Sequence, residues 1–191
     1  MKKLRLFWAI NLPEDIKTKI SGIQYRLGQS GSDSKWVERR NLHITVKFLG
    51  EAGPGLVGEI AGSVSQKLQG YGELRLALDG MGFFPGAASP RVLWAGLKGD
   101  VNMLKEIAGA VDQCMSGLGF PREGRKFSPH LTLARIKSTS NLENLIKMVG
   151  EETPSVNSIG GFRALSVDLM QSDLSRQGPV YSVLQTVRLT R

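Results

Sequence analysis

The sequence predicts an α+β fold of two lobes. Each lobe is a repeated strand-helix-strand-helix-strand unit, with antiparallel sheets around a central cleft and helices outside. Three observations carry this. Arg5-Leu-Phe-Trp8-Ala9-Ile-Asn-Leu12 resembles Arg91-Val-Leu-Trp94-Ala95-Gly-Leu97, and Leu42-His43-Ile44-Thr45-Val46 resembles Pro129-His130-Leu131-Thr132-Leu133. The matches are 86 and 87 residues apart, so a single domain divides into repeats at about 1–90 and 91–191. The candidate strands also alternate apolar and polar residues, as half-buried antiparallel sheets do, whereas a doubly wound parallel sheet has continuously apolar strands.

In order, strand 4–11 alternates Leu4, Leu6, Trp8 and Ile10 and leads through Pro13 into helix 14–29. Strand 42–48 follows, then a helix at about 55–70 with Leu56, Ile60, Val64 and Leu68 on one stripe, and strand 73–79. The second unit reads strand 91–97, helix 101–117, strand 130–135, helix 140–149, and strands 162–170 and 180–189. Asp15 and Asp100 stand at the mouths of corresponding helices. Loops are expected at 80–90 and 171–179. Trp8 and Trp94, at matching places, are expected in the core, and Cys114 as a small buried residue within helix 101–117.

Composition narrows the function classes. With 191 residues, 41% hydrophobic and 22% charged, the chain is neither disordered nor collagenous. A single cysteine closes no intramolecular bridge, and two histidines with one cysteine cannot complete a structural zinc site unless carboxylates join. No apolar run spans a membrane, and Arg5 and Asn11 break the N-terminal apolar segment, which reads as a strand rather than a signal peptide. A cytoplasmic monomer is expected. The formal charge of +8 favours a polyanionic partner, although no basic tail concentrates it.

Both histidines of the chain stand in His-apolar-Thr-apolar. Alternation along a strand predicts that Leu42, Ile44, Val46 and Phe48 face a core while His43, Thr45 and Lys47 face the other way. Leu131 and Leu133 are likewise set against His130 and Thr132. One such histidine would read as an ordinary surface residue; two at matching places in a repeat point to one shared site. Opening a cyclic phosphodiester needs a base to deprotonate water and an acid to protonate the departing sugar oxygen. Imidazoles serve as both near neutral pH, and hydroxyls can hold the phosphate oxygens. Metal binding is the rival reading, but the motifs bring no carboxylate or thiol alongside.

These residues, with Arg5-Leu-Phe-Trp-Ala-Ile-Asn-Leu-Pro13, Trp36-Val37, Asn41 to Glu51, Phe84-Pro85, Pro90 to Gly96 and Phe127 to Arg135, resemble the two-histidine (2H) phosphoesterases. The branch they resemble is the RNA 2′,3′-cyclic phosphodiesterases, also described as 2′-5′ RNA ligases. The resemblance implies hydrolysis of an RNA or nucleotide 2′,3′-cyclic phosphate to a 2′-phosphomonoester, with no metal or other cofactor. It implies His43 as proton donor to the 3′ oxygen and His130 as the base that activates water. It makes Thr45 and Thr132 the phosphate-holding threonines and Arg135 a phosphate contact, although alternation puts Arg135 on the leucine face unless the strand bulges.

Lys47, Phe7 and Phe127 are further substrate-binding candidates. Phe7 shares the Arg5/Ala9/Asn11 face, while Trp36, Phe83, Phe84 and Phe127 lie where a base could stack. Arg39, Arg40, Arg122, Arg125 and Lys126 flank the histidine strands and could meet an RNA backbone. Gly53-Pro-Gly55-Leu-Val-Gly58 matches a dinucleotide fingerprint, but the strand before it is polar on one face and the second unit lacks the glycines, so a turn into a helix is expected. Ligation of 2′,3′-cyclic and 5′-hydroxyl RNA ends, and RNA-end binding without catalysis, remain alternatives.

Overall fold

The structure, a computed structural model, describes residues 3–175 and 178–190. Among these residues four α-helices and nine strands follow in the order β1 (Leu4–Asn11), α1 (Glu14–Gly28), β2 (Ser34–Trp36), β3 (His43–Ala52), α2 (Val57–Lys67), β4 (Leu74–Phe84), β5 (Val92–Gly99), α3 (Val101–Gly117), β6 (His130–Ile136), α4 (Leu142–Asn157), β7 (Gly161–Ala164), β8 (Ser166–Ser175) and β9 (Gly178–Arg188). Short 3₁₀ turns at Arg39–Asn41 and Pro54–Leu56 precede β3 and α2.

The helices form where amphipathic stripes meet favourable ends. In α1, Glu14 and Asp15 occupy the first turn and Arg26 the last, matching the helix dipole, and Ile16, Ile20, Ile23 and Leu27 are buried. In α3, Leu104, Ile107, Val111 and Met115 form the buried stripe. Gly53 to Gly58 make the 3₁₀ turn and first residues of α2, as expected.

All strands pair antiparallel in one curved sheet ordered β7-β4-β5-β6-β3-β1-β8-β9, with β2 added beside β6. The two groups of strands meet at β3 and β6, whose registered pair is Ile44 and Leu131. The sequence repeats are not separated in space. β4 of the first repeat lies with β5 and β6, while β8 and β9 of the second lie beside β1. The helices exchange in the same way: α1 packs on α4, and α2 on α3. One apolar core runs through the whole, from Leu6, Trp8 and Ile10 to Leu104, Val111 and Leu145.

Several expectations need correction. Segment 162–170 is two strands at different places in the sheet, split at exposed Leu165. β4 continues to Phe84, through the first half of the expected loop 80–90, because it keeps pairing with β5. Most of 171–179 is a β8–β9 hairpin rather than a loop, with residues 176 and 177 outside the described set. α4 extends to Asn157, and short β2 carried no alternation long enough to read. Cys114 is partly rather than fully buried. Among the described residues no helix is long and apolar enough to cross a membrane.

Candidate active site

The β3–β6 seam brings the two histidine motifs side by side. With Ile44 opposite Leu131 in an antiparallel pair, one further step sets His43 beside Thr132, and the step the other way sets Thr45 beside His130. The two histidines thus occupy diagonal positions, about 7–8 Å apart at their attachment points. All four side chains line a cavity of about 310 Å³, together with Trp36, Phe48, Arg135 and Tyr181.

The two imidazoles are held alike at their rear. His43 Nδ1 lies 2.7 Å from the Asn41 carbonyl, and His130 Nδ1 lies 2.7 Å from the Ser128 carbonyl. A carbonyl oxygen only accepts, so each Nδ1 carries a proton and each Nε2 remains for chemistry. His43 Nε2 is 3.0 Å from Thr45 Oγ1. Burial lowers the His43 pKa below the usual imidazole value; its bond to Asn41 opposes the shift and the Lys17 charge adds to it. The enclosure is aromatic: Phe7 and Tyr181 ring centroids lie 5.0 and 5.2 Å from that of His43. Phe84 approaches His130 edge-on at 5.1 Å.

Two β-bulges at equivalent places decide which neighbours reach the cavity. Thr45 pairs with Ala9 and Lys47 with Trp8, leaving Val46 as an extra residue. Thr132 pairs with Trp94 and Ala134 with Leu93, leaving Leu133 extra. Each bulge sits one residue past the motif threonine and reverses the facing of the residues that follow it, until in β3 a second register shift at Leu49 reverses it again.

Arg135 is thereby turned onto the cavity, by the bulge that alternation alone would have required for it to face that way. Gln24 supports its bulge, donating from Nε2 to the carbonyls of Val37 and Leu133 at 3.0 and 2.9 Å. Lys47 is turned the opposite way, which corrects its assignment to the cleft face. It is buried at 5% exposure, and its ammonium donates to Asp112 Oδ1 at 2.6 Å and the Pro121 carbonyl at 2.8 Å. Burial pushes the Asp112 carboxyl up, but the bonds from Lys47 and the Glu123 N–H, with the Lys47 and Arg122 charges, bring its pKa below the usual value. Phe48, expected in the core, stands 61% exposed on the cavity instead.

Phe7 is buried at 2% exposure and backs His43 rather than lining the cavity. Phe127 lies in an adjoining groove that shares His130 and Thr45 with the cavity. Trp94 corrects the expectation of a second core tryptophan. It pairs with the motif threonine, the place Ala9 holds in the first repeat, so the Trp-Ala likeness is one residue out of structural register. Trp8 is fully buried, whereas Trp94 is partly buried and stacks on Phe84 at 5.1 Å.

The LigT like Phosphoesterase profile matches residues 10–94 and 99–181. The chain belongs to that family. Among relatives named RNA 2′,3′-cyclic phosphodiesterase, the one from Methanothermobacter thermautotrophicus is 33% identical, over 98% of this chain and 100% of its own. The one from Methanocaldococcus jannaschii is 37% identical, over 95% and 99%. A Thermus thermophilus crystal structure superposes with a TM-score of 0.79 at 26% identity, covering 97% of this chain and 98% of that one. Escherichia coli LigT complexed with 3′-AMP shares the LigT fold, with a TM-score of 0.76 at 22% identity and full coverage of both chains.

Tyr181, Phe48 and the Asn41 and Ser128 carbonyls were missed from sequence. The carbonyls had a readable signal, since each stands two residues before its histidine. Tyr181 had none, because only the sheet order carries β9 near His43; Asn41 Nδ2 ties that strand down by donating to the Pro179 carbonyl at 2.9 Å.

Proposed function

We propose that this LigT-like chain opens 2′,3′-cyclic phosphates at RNA ends, giving 2′-phosphomonoesters without a metal cofactor. The observation that carries this reading is the seam: two imidazole Nε2 atoms and two threonine hydroxyls converge on one cavity with Arg135. The relatives' shared name supports the same substrate.

The cyclic phosphate sits between the imidazoles. A water molecule, deprotonated by His130 Nε2, forms the new P–O bond. The P–O3′ bond breaks in line with it, and His43 Nε2–H donates its proton to the departing 3′ oxygen. Thr45, Thr132 and Arg135 hold the non-bridging oxygens as their charge grows. Burial disfavours the charged form of His43, and the negative charge of a bound phosphate opposes that shift, favouring the protonated form that acts as acid. Afterwards His130 returns its proton to solvent and His43 regains one.

The test is incubation with each 2′,3′-cyclic mononucleotide and identification of the product. A 2′-phosphate is expected, at a rate unaffected by EDTA; a 3′-phosphate would reverse the leaving-group assignment, and chelator sensitivity would point to a metal. His43→Ala and His130→Ala should each lower turnover by about 10²–10⁴, and near-wild-type turnover by either would overturn the reading.

A further inference from the structure

The core-facing stripe of α1 runs through Ile16, Ile20, Ile23 and Leu27, yet it also buries the amide of Gln24, at 7% exposure. An apolar side chain would pack there without the cost of drying an amide, so what Gln24 adds is its hydrogen bonds. Both protons of its one NH₂ group are used, on the carbonyls of Val37 and Leu133 at 3.0 and 2.9 Å.

Those carbonyls mark the place where β6 changes neighbour. It pairs with β3 at Leu131 and with β2 from Ala134 to Ile136. Between the two lies the bulge residue, Leu133, whose carbonyl also accepts from the Val37 N–H at 2.9 Å. Gln24 therefore ties the end of β2 to the bulge of β6. Both lead straight into the cavity: Arg135 lies two residues beyond Leu133 and pairs with Lys35, and Trp36, Val37 and Glu38 line the same wall. Sheet pairing alone does not fix where a bulge sits, and moving it past Arg135 would turn that side chain away from the cavity.

The first half of the molecule carries a counterpart. Asp112 of α3 stands 88 residues after Gln24, where the two histidines are 87 apart. It accepts at 2.6 Å from Lys47, the residue that follows the first bulge. In each half a helix of one repeat holds the bulge in a strand of the other.

We propose that Gln24 is a positioning residue for the reaction: its amide pins the β6 bulge at Leu133 and so keeps Arg135 in the cavity. Gln24 does not itself line that cavity. The proposal rests on the function proposed above, to which it adds the device that sets the phosphate-holding cation.

The experiment is a double-mutant cycle. Gln24→Leu and Arg135→Ala, singly and together, are assayed on a 2′,3′-cyclic mononucleotide, and their affinities for inorganic phosphate are measured by calorimetry. Ile20→Val, a core change one turn earlier in α1, controls for stability, with urea unfolding run on every variant. Gln24→Leu should lower kcat/KM and phosphate affinity by about tenfold, but by less than about twofold when Arg135 is already absent. Ile20→Val should stay within about twofold of wild type in both readouts. Where Gln24→Leu does not fold, Gln24→Met, which keeps the side chain's length without its donors, takes its place. The same loss with and without Arg135, no loss at all, or an equal loss from Ile20→Val would overturn the proposal. A wild type that turns over no cyclic mononucleotide would overturn the function itself, while the phosphate-binding cycle would still decide the role of Gln24.

Discussion

The two halves of the site are built from one motif and made different by the residues just beyond its threonine. On the first side, His43 is enclosed by Phe7 and Tyr181, and the residue that its bulge turns into the cavity is Phe48. On the second side, His130 is carried by the exposed Ser128 segment, and the equivalent turned residue is Arg135. Duplication thus supplies two identically anchored imidazoles, and divergence at one position, 48 against 135, makes one side apolar and the other cationic.

The sharpest way to break this comparison is at that position. Arg135→Ala should lower kcat/KM by about 10²–10³, the cost of one preorganised donor to developing charge, while Phe48→Ala should cost less than about tenfold. Steady-state kinetics on a cyclic mononucleotide checks both, and similar losses would make the two sides functionally alike.

Next comes the lysine that the first bulge turns inward. Lys47→Met leaves Asp112 without its main partner and should destabilise the fold by roughly 3 kcal/mol in urea unfolding; Lys47→Met with Asp112→Leu should recover much of that. A smaller loss, about 1–3 kcal/mol, is expected from Gln24→Leu, which strips the donor from two buried carbonyls around the second bulge.

The smallest effect is electrostatic. NMR titration should find His43 below about 6.5, its unperturbed value, with a rise on adding a nucleoside monophosphate. Because the folded chain disfavours His43 protonation, the unfolded chain takes up that proton first. The stability linked to this group is therefore present at neutral pH and lost as pH falls below about 6.5. A free-protein value above 6.5 would contradict the enclosure of His43.

Much of this was legible in the sequence because local patterns carried it. β1 and α3 fall where alternation and an apolar stripe put them, and the duplicated His-x-Thr named the four central side chains. What failed was parity. A bulge adds one residue without changing composition, so Val46 and Leu133 look like ordinary strand residues, yet they reversed Lys47, Phe48 and Arg135. Only Arg135 escaped error, because the family position argued against the alternation. The other gap was long range: nothing near Tyr181 in the chain announces that β9 lies two strands from β1, close to His43.

The pairing of two imidazoles with opposite tasks is tested most directly by changing the leaving group. Turnover of His43→Ala and His130→Ala should be measured on a 2′,3′-cyclic mononucleotide and on a phosphodiester with a nitrophenolate leaving group, which departs without a proton. His43→Ala should recover most of its lost rate on the activated ester while His130→Ala stays impaired. Equal rescue of both, or rescue of His130→Ala alone, would contradict the assignment of acid to the enclosed side and base to the open one.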